Sequence, residues 1–148
     1  MKISTKGRYG VRILLDLALH ENETPRQIHD IAASQQISEK YISRLIIDLR
    51  RAKMIRSIRG AKGGYRIARN PAEVTLLDIV EVMEGPLSIV DCVRSPRTCN
   101  RSGNCPSRQI WDGLNTEIRE AMRKITLQNI IDNYHESHGD RWVPDYCI

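Results

Sequence analysis

In SEKYISRLIIDLRRAKMIRSIRGAKGGYRIA, residues 38–68, the apolar period changes partway along the stretch. Behind Ser38, a natural N-cap, Tyr41, Ile42, Leu45, Ile46 and Leu49 recur at three- and four-residue steps and predict a helix to about Ala52. From Ile55 the pattern becomes alternation: Ile55, Ser57 and Arg59, then Tyr65 and Ile67, read as two strands around a glycine-rich turn carrying Arg59, Lys62 and Arg66. GAKGG joins strand to strand, with no following helix and no Lys-Ser/Thr pair, so it is not a phosphate-cradling nucleotide loop. A hairpin alone says little; one placed directly behind two short helices says more.

Those two helices come from the residues upstream. After Thr5, Val11, Leu14, Leu15 and Ala18 keep helical spacing and predict a first helix ending near His20. Thr24-Pro25-Arg26-Gln27 reads as a capping box with Pro at the first helical position, opening a helix through Ile28, Ile31 and Ala32 that stops near Gln36. A tight turn then leads to Ser38. Two short helices joined this way make a helix-turn-helix, and the hairpin becomes its wing. The expected fold is mainly α with a small β-hairpin: a winged helix-turn-helix domain plus a long C-terminal dimerisation helix.

Downstream, Thr75 caps a helix through Leu76, Leu77, Ile79, Val80 and Met83, ended by Gly85-Pro86. Ile110, Trp111, Leu114, Ile118, Ala121, Met122 and Ile125 lie on one stripe of a long helix starting near Ser107. Little chain remains to cover such a stripe, which points to a second copy of the protein. Thr126 starts a last helix with Leu127, Ile130 and Ile131, and the tail after His135 is too polar to assign. The expected organisation is a DNA-binding domain over 1–85, a cysteine-bearing, cluster-binding loop over 86–106, dimerisation helices over 107–133 and a tail over 134–148.

Charge divides along the same line. Residues 1–70 hold 15 Lys and Arg against 6 Asp and Glu; residues 71–148 hold 8 against 12. A sign asymmetry this large in a 148-residue chain points the front half at a polyanion. No run of Trp or Phe offers a single-strand stacking platform, so duplex DNA is the expected partner. The second helix of the pair should then be the reading helix, its first turns reaching base edges in the major groove. The candidate contacts are Ser38, Glu39, Lys40, Tyr41, Ser43 and Arg44 there; Lys2, Ser4, Lys6 and Arg8 at the front of the first helix; and Arg59, Gly60 and Lys62 on the wing. Glu39 suits a cytosine amino group and Arg44 a guanine or a phosphate; Ser38 also serves as the cap, and Tyr41 is equally suited to the core. The basic front of the first helix also offers backbone N–H groups to a phosphate. Two copies would meet half-sites of a palindromic operator about 34 Å apart.

Cys92, Cys99 and Cys105 stand within DCVRSPRTCNRSGNC, with six and five residues between them. Apolar surroundings that would bury a structural cysteine are absent. The chain opens without an apolar signal segment and has no run long enough to span a membrane, so a cytoplasmic protein with reduced thiols is expected. Zinc sites favour tighter pairs such as CxxC. An iron–sulfur cluster is the leading reading, ahead of zinc, a thiol switch or inert cysteines, and Cys147 is read as a bystander. No Ser-His-Asp or paired-carboxylate arrangement suggests an enzyme or a small-molecule substrate.

MKISTKGRYGVRILLDLAL, SEKYISRLIIDLRRAKMI, SIRGAKGGYRIAR and EVMEGPL with three following cysteines resemble the bacterial winged-helix regulators of the IscR, NsrR and CymR group, over residues 1 to about 133. The resemblance implies a homodimeric transcription factor whose long C-terminal helix crosses to the partner. It also implies an iron–sulfur cluster on Cys92, Cys99 and Cys105, 2Fe-2S with 4Fe-4S as the alternative, controlling operator affinity at genes of cluster biogenesis. Nitric oxide, iron or thiol redox state are the alternative signals, and structural zinc the alternative metal; the CymR branch of the group lacks the cluster. The first cysteine gap is one residue longer than in IscR members. IscR-type proteins carry a histidine three residues after the last cysteine, where this chain has Arg108; NsrR-type members use an aspartate of the partner's first helix, where it has Arg8. The fourth ligand is therefore open among Asp91, Ser107, Cys147, a carboxylate or histidine of the partner's first helix, water or a small thiol. His20, His29, His135 and His138 fit no ligand spacing.

Overall fold

A computed structural model describes residues 2–138. In chain order it contains α1 (Thr5–Leu19), α2 (Ile28–Gln35), α3 (Glu39–Arg51), β1 (Ile55–Ile58), β2 (Gly64–Ile67), α4 (Leu76–Glu84), the one-turn α5 (Asp91–Arg94), α6 (Pro106–Lys124) and α7 (Leu127–His138). The mainly helical expectation with one hairpin holds. Cys147 and the rest of residues 139–148 lie outside the described residues, whereas Glu136 to His138, left unassigned by their polarity, continue α7.

The core belongs to the first three helices, the hairpin and α4. Ile13, Leu14 and Leu17 of α1, Ile31 of α2, Ile42, Leu45 and Leu49 of α3, Met54, Ile55, Ile79 and Met83 form one buried cluster. Each such side chain contributes roughly 1.5–3 kcal/mol of transfer free energy. Leu127 of α7 joins the cluster, and the strand-like contact of Thr75 with Thr126 fixes where α7 returns to it. Close approach of α1 and α4 depends on glycine: a Cβ on Gly10 would stand 2.6 Å from Met83 Cγ, and one on Gly7 2.3 Å from Glu84 Oε1.

The helix-turn-helix starts later than the sequence suggests. The capping box of α2 is Gln27 with Asp30, whose carboxylate accepts the Gln27 N–H at 3.1 Å, rather than Thr24 with Gln27. Pro25 and Arg26 are not helical; Arg26 pairs with Tyr65 in both directions, its N–H donating at 3.1 Å and its carbonyl accepting at 2.8 Å. The preceding segment thus acts as a third rung beside the wing. A Gln cap is easily overlooked behind a Thr-Pro pair, because Thr and Pro are the commoner helix-start signals.

The wing itself keeps the expected register, with Ile55 opposite Ile67, Arg56 opposite Arg66, Ser57 opposite Tyr65 and Ile58 opposite Gly64. Ser38 caps α3, accepting the Tyr41 N–H at 3.3 Å. Thr75 caps α4 in a reciprocal box with Asp78, and Gly85, at φ +86°, ends it. Beneath α1 and α2, the fully buried carboxylate of Asp16 accepts from Arg26 Nε at 3.0 Å, Ser34 Oγ at 2.6 Å and Gln35 Nε2 at 3.2 Å. This polar knot ties the first two helices and the third rung of the wing together.

Candidate nucleic-acid interface and cysteine loop

On α3, Ile42, Leu45, Ile46 and Leu49 face the core, so the helical repeat turns Lys40, Arg44, Ile47 and Arg51 to the opposite side, with Ser43 beside them. Glu39, Lys40 and Arg44 are exposed. Ser43 is occupied locally, its hydroxyl donating to the Glu39 carbonyl at 2.8 Å. Tyr41 is half-buried and meets Tyr9 edge-on at 5.8 Å between ring centres, so it braces α3 against α1. Asp48 is offset by Lys6 at 2.9 Å and lies 4.0 Å from Arg51. Arg59, Gly60 and Lys62 stand exposed on the wing turn. Between the wing and the start of α3 lies a cleft of about 520 Å³ lined by Gln27, His29, Glu39, Arg59 and Gly60 among others. The sequence marked Gln27 only as part of a helix cap and His29 only as a histidine outside ligand spacing, neither as a DNA contact; their position at the start of the helix preceding α3 is the signal that could have marked them.

Several basic residues turn out to be structural. Arg66, on the wing, donates to the carbonyl oxygens of Glu21 and Glu23, anchoring β2 to the turn after α1. Arg12 donates to Gln35 Oε1 at 3.0 Å and lies over the Tyr9 ring. At the front of α1, Ser4 is the N-cap: its hydroxyl accepts the Lys6 N–H at 3.1 Å, while its own N–H and hydroxyl both donate to Glu84 Oε1, at 2.8 and 3.0 Å. The Ser4 and Lys6 N–H groups are therefore satisfied within the chain. Lys2 and Arg8 are exposed, with Arg8 Nη2 3.4 Å from Thr5 Oγ1.

The cysteine loop hangs from α6 by polar ties. The Leu87 N–H donates to Glu81 at 3.0 Å; Arg119 of α6 pairs with the same carboxylate and donates to the Leu87 carbonyl at 3.2 Å. Asn115, buried on the same helix, accepts the Ile89 N–H at 3.2 Å. Arg108, where an IscR-type histidine would stand, donates instead to the Cys92 carbonyl at 3.1 Å. These ties are invisible in the apolar stripe of α6, because they come from the polar residues beside it.

The three cysteines occupy three different local structures: Cys92 in α5, Cys99 after a turn at Pro96–Thr98, and Cys105 at the N-cap of α6 with Pro106 behind it. All three are free thiols. Among the described residues no group of three or more His, Cys, Asp or Glu is assembled to hold a metal ion, so the convergence expected from their spacing is not formed in the single chain. Their chemistry suits ligation nonetheless. The Ser107 hydroxyl, 3.1 Å from the sulfur, the Arg108 and Ser107 N–H groups and the positive charge of Arg101 hold the Cys105 thiol below its ordinary pKa, against a weaker opposing effect of burial. Of the fourth-ligand candidates, Ser107 touches Cys105, whereas Asp91 points to solvent with Arg94 at 3.8 Å. His20 and His138 each donate to a carbonyl four residues back, at Asp16 and Tyr134, which are helix-stabilising roles.

Beyond this loop, Ile110, Trp111 and Leu114 are 70, 41 and 46% exposed, and Ile125 is exposed as well. No helix among the described residues is long and apolar enough to cross a membrane.

Residues 3–133 match the Rrf2 family model, described as an iron-dependent transcriptional regulator. The HTH-type transcriptional regulator CymR of Bacillus subtilis (strain 168) is 36% identical over 130 residues, covering 88% of this chain and 89% of that protein. The HTH-type transcriptional regulator IscR of Aliivibrio salmonicida (strain LFI1238) is 32% identical over 149 residues, covering 100% of this chain and 88% of that one. Among solved structures, T. potens IscR superposes with a TM-score of 0.76 at 34% identity, over 95% of this chain and 93% of that one.

Proposed function

This chain belongs to the Rrf2 family of DNA-binding transcriptional regulators, and from that premise we propose that it is a homodimer whose operator affinity is set by an iron–sulfur cluster on Cys92, Cys99 and Cys105. As a member of that family it is a regulator and not an enzyme. In the proposal α3 lies in the major groove of a palindromic duplex, the wing turn with Arg59 and Lys62 follows the backbone, and Lys2, Lys6 and Arg8 approach phosphates from the front of α1. Genes of cluster assembly are the proposed targets, a reading that rests on the likeness to IscR proteins alone. A 2Fe-2S cluster suits the three thiolates and one further ligand; 4Fe-4S is the alternative.

The observation that carries the proposal is the Cys105 thiol, held toward its anionic, ligand-competent form at the N-terminus of the same helix that bears the uncovered apolar stripe. A bound cluster supplies a redox- and iron-sensitive cross-link between the three thiols. Because no three potential ligands are assembled among the described residues, Cys92, Cys99 and Cys105 would have to be brought together to hold such a cluster. Arg108, Asn115 and Arg119 pass the position of the loop to α6 and, through Glu81, to α4. One turn further along α4, Glu84 grips the N-cap of α1, and Lys6 in turn reaches Asp48 on α3. Arg108 cannot replace the IscR-type histidine, since a guanidinium offers no lone pair.

A second reading draws on the same thiols. Three free cysteines, one with a lowered pKa, also suit a thiol-redox switch without metal. Anaerobic purification followed by the visible spectrum and assay of iron, sulfide and zinc separates the two. Brown protein with iron matching sulfide is expected. Replacing Cys92, Cys99 and Cys105 together by Ala should abolish the colour and change operator affinity by about 5- to 150-fold, the usual range of allosteric coupling. Colourless protein after attempted reconstitution, with affinity that follows oxidant instead, rejects the cluster in favour of the switch.

A further inference from the structure

Ile47 is the one apolar residue on the outward stripe of α3. It is 48% exposed and lies one turn beyond Ser43 and Arg44 and two turns beyond Lys40, with Arg51 one turn further on. Its neighbours on that stripe are cations, and the nearest acidic group, Asp48, is offset by Lys6 at 2.9 Å. A lone exposed aliphatic is ordinary on most helices. Here it sits in the middle of a positively charged strip whose charge complements a polyanion, where a phosphate gains nothing from an isoleucine and a base edge can.

Resting on the reading of α3 as the major-groove helix, we propose that Ile47 is a specificity-determining residue that packs against the C5-methyl group of a thymine in each half-site. The major groove presents one apolar group among hydrogen-bonding edges, the thymine methyl, and branched or small aliphatic side chains are its natural contacts. Lys40 and Arg44, on the two preceding turns, are long enough to reach guanine or phosphate on either side. Ile47 adds discrimination of thymine from cytosine and uracil at one position, which neither cation supplies. Nor is Ile47 needed by the core, which α3 fills with Ile42, Leu45, Ile46 and Leu49.

The test uses the full-length protein and a duplex that it selects from a randomised pool. Each thymine of that duplex is then replaced in turn by deoxyuridine, which removes the methyl and leaves the hydrogen-bonding edge unchanged. Burying one methyl predicts a loss of about four-fold in affinity at one thymine per half-site. Ile47→Ala should bind the parent duplex more weakly by a similar factor, ignore the uracil at that thymine and still respond to changes at the other base pairs. If no thymine loses its methyl sensitivity in Ile47→Ala while Lys40→Ala and Arg44→Ala weaken binding, the Ile47 contact is wrong and α3 remains the reading helix. If Lys40→Ala and Arg44→Ala also leave affinity unchanged, the assignment of α3 itself falls. A change in the mass of Ile47→Ala in solution would place the residue at a protein interface and overturn the contact.

Discussion

Helices α3 and α6 are both amphipathic, yet the chain treats their apolar faces differently. Ile42, Leu45 and Leu49 of α3 are closed over by α1, α2 and the wing, whereas Ile110, Trp111 and Leu114 of α6 remain in solvent and only Asn115 of that helix is buried. A contiguous apolar stripe left uncovered on one chain marks an interaction surface. The same contrast separates the charged and reactive groups. In the winged half Asp16 has Arg26, Ser34 and Gln35 around it; in the loop beyond Gly85 the three thiols have not come together. The first region is complete in a single chain. The second leaves apolar side chains and thiols without partners of their own kind, which is what the proposed dimer and cluster would supply.

The largest effect that would break this contrast lies in the winged half. Arg26→Met removes the cation from a fully buried carboxylate, which should cost about 3–5 kcal/mol and be visible in urea unfolding. A loss below about 1 kcal/mol would mean that Ser34 and Gln35 alone satisfy Asp16. On the other side, Trp111→Glu places a charge in the stripe. It should weaken dimerisation by at least about 2 kcal/mol, some thirty-fold, while leaving the unfolding of the winged half unchanged. Sedimentation of wild type and variant across a dilution series measures it. An unchanged dimer would move the interface off α6.

How much of this was legible depends on the kind of signal. Helices α1, α3 and α4 were readable because their apolar residues keep a strict period and Ser38 and Thr75 are strong caps. The start of α2 was not, because a Gln cap is a weak signal and Thr24-Pro25 imitates a strong one. The burial of Asp16 was hidden because a carboxylate in ILLDLAL reads as the polar side of an amphipathic helix, and its partners come from residues 26 to 35. For the DNA-facing side, composition could count cations but not separate Lys40 and Arg44, which stand free of the core, from Arg66 and Arg12, which hold loops in place. The cysteines were legible as chemistry and not as geometry. Spacing says that three thiols can meet, and only the surrounding structure decides whether one chain brings them together.

Smaller changes sharpen the comparison without breaking it. Arg59, exposed on the wing turn, should behave as a phosphate contact: Arg59→Ala should weaken binding to all sequences and reduce the slope of log K against log salt by about 1. A loss confined to particular base pairs would instead make it a base reader.

The smallest expected effect bears on the loop's chemistry alone. Ser107 is exposed, so Ser107→Ala should leave stability within about 0.5 kcal/mol of wild type. Its hydroxyl is nonetheless the largest influence lowering the Cys105 thiol, ahead of the Arg108 N–H at the start of α6. Without it the pKa rises, the thiolate fraction at a given pH falls, and alkylation by iodoacetamide slows. In a chain whose other cysteines are alanine, the pH profile of that reaction should move to higher pH. An unmoved profile would assign the effect to the N-terminus of α6, and ligand competence at Cys105 would then follow from the position of the helix and not from its neighbour. The distinction matters for the contrast with the winged half: a helix terminus is fixed by the fold, whereas a hydroxyl contact at 3.1 Å depends on the rotamers of the Cys105 and Ser107 side chains.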